Sequence, residues 1–157
     1  DGLNSYLSGN TIYTYDTAHG VQIEYHAPNG LAYLWYPGNS RAVPSRWEVK
    51  ASEGRTYTLN RRKHPSVLLC YTYPSNSYNP VMQTTGGKPE CIPSVFHTTS
   101  HIERMAGDPF GLASGRLPFV LPKKTQLTPA QLAERAGIKT PLTYLPTEKS
   151  LIKAGRK

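Results

Sequence analysis

No stretch of this chain approaches the roughly eighteen consecutive apolar residues that a membrane-crossing helix needs, so no such helix is expected. Apolar residues reach only 38% and charged residues only 18%, both below the usual globular share. Acidic groups are scarce, with 10 Asp and Glu against 18 Lys and Arg. Several catalytic signatures are absent too. There is no Gly-x-Ser-x-Gly elbow, and beyond Asp1 only Asp16 and Asp108 could serve a Ser-His-Asp triad. Thr84-Thr-Gly-Gly87-Lys88 resembles a phosphate loop only superficially, because no strand leads into it and no helix follows. No apolar leader segment is present, and the start at Asp1 is read as a removed leader or a trimmed chain.

What is present divides unevenly along the 157 residues. Residues 1–115 carry nine basic and eight acidic residues, a balance of +1, whereas residues 116–157 carry nine basic and two acidic, a balance of +7. Ten of the eleven tyrosines fall between Tyr6 and Tyr78, as do both tryptophans. Tyrosine suits half-buried pleated surface, so the tyrosine-rich body is expected to be a sheet. The basic end piece is expected either to be solvated or to meet an anionic surface.

Short strands with turn signals run through the body. Asn10–Tyr15 is β-branched and aromatic, Val21–Tyr25 alternates apolar and polar, and Leu31–Tyr36 follows the Pro28-Asn-Gly30 turn. Arg46–Lys50, Arg55–Leu59 across a turn at Ser52-Glu-Gly54, and Val67–Tyr73 complete six candidates at 8–12-residue spacing. This pattern predicts a mainly β fold: an antiparallel meander closing into a small barrel or a curled sheet, with no helix before residue 94.

Residues 74–93 form a Pro- and Gly-rich loop between Cys70 and Cys91, read as one disulfide, with two buried thiols as the alternative. A helix is expected within Ser94–Met105, an extended run over Leu117–Pro122, and a helix opened by a Thr128–Gln131 capping box with Pro129 at its first position. Another short helix is expected from Thr147 or Ser150 to Gly155. The expected organisation is a β domain over 1–108 and a basic, proline-broken extension over 109–157.

Leu7-Ser-Gly-Asn-Thr11, Tyr25, Asn29-Gly30, Trp47-Glu-Val49, Cys70 and Cys91 together resemble a group of small exported alphaproteobacterial proteins to which no activity is assigned. The resemblance spans residues 3–95. It implies a β-barrel-like fold and a periplasmic or secreted location, and it carries over no catalytic residue.

Function is then read from side-chain clusters. The first expectation is a non-enzymatic, exported accessory or binding subunit of a periplasmic or membrane-associated assembly. Its partner, another protein or an anionic surface, would be met by Arg116, Phe119, Leu121, Lys123, Lys124, Leu132, Arg135, Lys139, Tyr144 and Leu145, with Leu142 and Leu151-Ile152 as further anchors. Deleting residues 116–157 is expected to leave the body folded. The second expectation is an envelope-glycan or small-amphiphile module with a groove of Tyr33, Trp35, Tyr36, Tyr71 and Tyr73, which would otherwise fill the core. The third is a secreted ribonuclease using Glu24 and His26, which share a strand face, or His64, with Arg61-Arg-Lys63 as phosphate contacts. Against it stands the near-neutral body, and nucleic acid is not expected as a partner. His97 and His101 at i, i+4, with Glu103, are weighed as metal ligands and set aside, because the intervening Thr-Thr-Ser disfavours a helix interior. No metal or cofactor is expected.

Overall fold

A computed structural model describes residues 2–59, 61–79 and 84–148. The chain is mainly β. One antiparallel sheet runs in the order β10-β9-β1-β2-β3-β4-β5-β8, with β1 at Asn10–Asp16, β2 at Gly20–His26, β3 at Leu31–Trp35, β4 at Val43–Leu59, β5 at Arg62–Thr72, β8 at Glu90–Pro93, β9 at Glu103–Ala106 and β10 at Tyr144–Leu145. Two short strands, β6 (Tyr78–Asn79) and β7 (Thr84–Thr85), pair apart from it. β10 and β8 are its edges, so the sheet curls without closing. Among the described residues three short α-helices accompany it: α1 (Gly2–Leu7), α2 (Ser94–Thr98) and α3 (Pro129–Arg135).

Alternation assigns the two faces. Tyr13, Val21, Ile23 and Trp35 point to one side, where they pack with Met105, Phe110, Leu112, Leu121, Leu127, Leu132 and Ala133. Ile12, Ala32, Trp47, Leu69 and Tyr71 point to the other, under Leu7 and the rest of α1. The C-terminal extension is therefore a layer of this chain's own core. Its backbone is tied in as well. Tyr13 Oη donates to the Leu127 carbonyl at 2.6 Å and Trp35 Nε1 to that of Phe119 at 3.0 Å. Where it passes the strand turns, room is tight. Gly20 has φ +79°, and a Cβ there would meet the Lys123 carbonyl at 3.1 Å.

Several local expectations need correction. Ser52-Glu-Gly54 is not a hairpin turn. β4 runs on to Leu59 through a register irregularity between Ala51 and Thr56, with Gly54 at φ +71° absorbing it, and the chain reverses just before Arg62. A helix does precede residue 94: α1 is too short to show a period and is held by packing of Leu3, Tyr6 and Leu7. The expected helix over Ser94–Met105 stops at Thr98, after which the chain becomes strand β9 against β1, with Thr11 opposite Met105. The Thr128 side chain accepts from Gln131 N–H and the Gln131 side chain returns the bond, so the capping box forms around Pro129 as read. The helix expected from Thr147 or Ser150, like the anchors Leu151-Ile152, lies outside the described residues. Cys70 and Cys91 sit directly opposite one another on β5 and β8 and form a disulfide. Among the described residues no helix is long and apolar enough to cross a membrane.

Candidate functional site

The face of the sheet opposite the C-terminal extension is only partly covered. α1 closes one end, and beyond it lies an open cleft of about 1290 Å³, above the roughly 300–1,000 Å³ usual for a small-molecule site. Thr14, Gln22, Glu24, His26 and Leu34 line its floor from β1, β2 and β3. Tyr71 and Tyr73, Ile92 of β8 and part of the loop after β5 line a wall, and His97 and His101 a flank. Asp16, His19, Tyr36, Arg41 and Lys123 also border it.

Strand register builds the polar centre. Glu24 and His26, two apart on β2, both face the cleft, with Glu24 Oε1 3.7 Å from His26 Nε2. The same Nε2 is hydrogen-bonded to the Tyr71 hydroxyl at 2.7 Å. Trp47 meets the His26 ring edge-on at 5.5 Å, His97 meets Tyr71 edge-on at 5.3 Å, and Tyr6 stacks on His101 at 5.9 Å. Glu24 Oε2, His26 Nδ1 and His101 Nδ1 are buried without a hydrogen-bond partner among the described residues, as is Ser45 Oγ nearby on β4.

Burial sets the charge state of this group. Loss of solvent pushes the Glu24 carboxyl up to about 8. It brings His26 and His101 down to about 3 and His97 to about 4, with mutual repulsion among the histidines adding to the effect at His26 and His101. Tyr71 and Tyr73 hold their protons well above the usual phenol range, again through burial. The centre of the cleft is therefore uncharged at neutral pH. It can exchange hydrogen bonds, but it offers little attraction to an anion.

The five aromatic groove candidates separate by parity. Tyr36, Tyr71 and Tyr73 line the cleft. Trp35 is fully buried on the opposite face against Phe119, and Tyr33 stacks on Tyr25 at 6.4 Å on that same face, so neither belongs to the groove. The nuclease candidates separate as well. Glu24 and His26 meet, but Arg61, Arg62 and Lys63 lie exposed at the end of the β4–β5 hairpin. The backbone of His64 pairs with Tyr57 in that same outer part, and its side chain lies outside the described residues. His97 and His101 converge on the cleft by chain path, one from α2 and one from the segment leading into β9, and not through helical spacing. Among the described residues no group of three or more His, Cys, Asp or Glu side chains is arranged to hold a metal ion.

The partner-contact candidates also divide. Leu121 and Leu132 are buried in the chain's own core, where neither side chain reaches the surface. Phe119 is half-buried against Trp35, with the Arg135 guanidinium 5.7 Å above its ring. Leu142 packs partly buried on the same core, and Leu145 lies in edge strand β10. Arg116, Lys123, Lys124, Lys139 and Tyr144 are exposed. Tyr6, placed against His101 by α1, escaped sequence reasoning because nothing in a six-residue helix marks the face it turns inward. No family model, curated protein or solved structure matches the chain.

Proposed function

We propose that this chain is a non-enzymatic binding module that holds a small amphiphile in the cleft. The observation that carries the reading is a roomy, open cavity whose centre is a buried, incompletely hydrogen-bonded Glu24–His26–Tyr71 chain flanked by apolar surface from Leu34, Tyr73 and Ile92. Ligand sites share that composition: mostly apolar walls with a few convergent polar groups. The disulfide and the resemblance to exported proteins support a periplasmic or secreted setting. The test is titration with the fluorescent apolar probe N-phenyl-1-naphthylamine. One saturable site, lost in Gln22→Trp, which fills the floor, is the expected result. Absence of saturable binding by the native protein would sink the reading.

The accessory-subunit reading keeps one supporting observation. Arg116, Lys123, Lys124 and Lys139 are exposed and have no ion pair among the described residues. In that reading these cations meet an acidic protein or membrane surface while the apolar anchors serve the fold. Salt-sensitive co-elution of a partner, abolished by Lys123→Glu with Lys124→Glu, is its expected signature.

A further inference from the structure

Resting on the amphiphile reading, we infer that the cleft selects ligands whose polar part is uncharged: a hydroxyl- or amide-bearing group that reaches the Glu24–His26–Tyr71 chain while an alkyl part lies along Leu34 and Ile92. The geometry separates polar centre from charge. Glu24, His26 and His101 present buried atoms lacking partners, which a neutral donor–acceptor group could satisfy after a small side-chain adjustment. The charged side chains that border the cleft, Asp16, Arg41, Lys123 and Glu90, belong to segments around the strand turns or, for Glu90, to the start of edge strand β8, and are of mixed sign. An ionised head placed at the centre would lose its water and find no opposite charge, a cost that a hydroxyl does not incur. The protonation states agree, since burial keeps the carboxyl protonated and the imidazoles neutral at pH 7. A sugar or polyol head suits this arrangement because each hydroxyl both donates and accepts.

The test compares octyl glucoside, octyl sulfate and octyltrimethylammonium by calorimetry below their micellar concentrations, with proton NMR of the His26 and His101 rings. Octyl glucoside is expected to bind at least about tenfold more tightly than either charged analogue and to shift both imidazoles. Glu24→Ala should weaken it by about tenfold, the scale of one buried hydrogen bond. Glu24→Gln, a neutral side chain of similar shape, should recover most of that loss. Equal binding of all three heads would overturn the inference while leaving the amphiphile cleft standing. Tighter binding of either charged head would overturn it in the same way. Binding of free glucose as tight as octyl glucoside would overturn the amphiphile component in favour of a glycan site. Failure of every alkyl compound to bind would overturn the cleft reading itself.

Discussion

The two faces of one sheet have been finished in opposite ways. On the face carrying Tyr13, Ile23 and Trp35, polar tips are matched: Tyr13 and Trp35 each donate to a carbonyl of the C-terminal extension, and Leu121, Leu127 and Leu132 close the layer. On the face carrying Glu24, His26 and Tyr71, the covering is partial and buried polar atoms stay unmatched. Buried polar groups are ordinarily paired, because an orphan costs on the order of 1–3 kcal/mol. Several such atoms gather beside the open cleft and none on the opposite face, among the described residues. The comparison teaches that the extension, for all its charge, supplies a layer of the core, and that the unmatched polar atoms lie on the other face of the sheet.

The sharpest way to break this contrast is to remove the extension. Deleting residues 116–157 takes Leu121, Leu127 and Leu132 from the core, each worth roughly 2–5 kcal/mol on truncation and together rivalling the ~5–15 kcal/mol that stabilises a whole domain. The shortened chain is expected to lose its cooperative thermal transition by circular dichroism, contrary to what the sequence suggested. A folded truncation product would restore the extension as a separable strap. Smaller in effect, Trp35→Ala should cost about 3–5 kcal/mol, whereas Tyr36→Ala, half-buried at the cleft, should cost under about 1 kcal/mol and weaken probe binding instead. Urea midpoints on both variants decide this, and equal losses would erase the distinction between faces.

A pH profile tests the cleft itself, whose groups carry the largest shifts. His26, His97 and His101 stay neutral in the folded chain down to about pH 3–4, whereas the unfolded chain protonates them near 6.5. The unfolded state therefore binds more protons below pH 6.5, and stability is lost as pH falls. Glu24 works the other way: its folded carboxyl keeps a proton up to about pH 8 but loses it near 4.5 when unfolded, so stability falls as pH rises through that window. Three histidines outweigh one carboxyl on the acid side. The maximum should lie slightly above pH 6.5, with arms of up to about 1.4 kcal/mol per pH unit for each uncompensated proton. Glu24→Gln should flatten the alkaline arm and steepen the acid arm above pH 4.5 by about 1.4 kcal/mol per pH unit. Denaturant titrations from pH 4.5 to 9 that show no maximum, or a Glu24→Gln variant that keeps the alkaline arm, would place these protons elsewhere.

Much of this was readable in advance where the cause is local. Period-2 alternation marks Val21–Tyr25 as a strand and already puts Glu24 beside His26. Thr128, Pro129 and Gln131 specify their helix start by a mechanism contained in four residues. Cysteine count and loop composition anticipate the Cys70–Cys91 bridge. What escaped is set by distant partners. Leu121 and Leu132 look the same in sequence whether they anchor on their own body or on another protein, because burial depends on what faces them. Tyr33 and Trp35 stay open between groove and core in the sequence, because alternation shows that they share a face but not which face becomes a cavity. Gly54 reads as a turn and instead serves an irregularity inside a long strand, since the neighbouring strand keeps pairing past it.

The register of β9 against β1 has a bearing on how the molecule is made. Thr11 waits for Met105, and Tyr13 for Leu127, so the earliest strand remains an unsheltered edge while most of the polypeptide is still emerging. During synthesis the meander can form its neighbouring hairpins, but its tyrosine-lined outer border stays available to other nascent chains. Until the last third arrives, that border has no strand of its own to cover it.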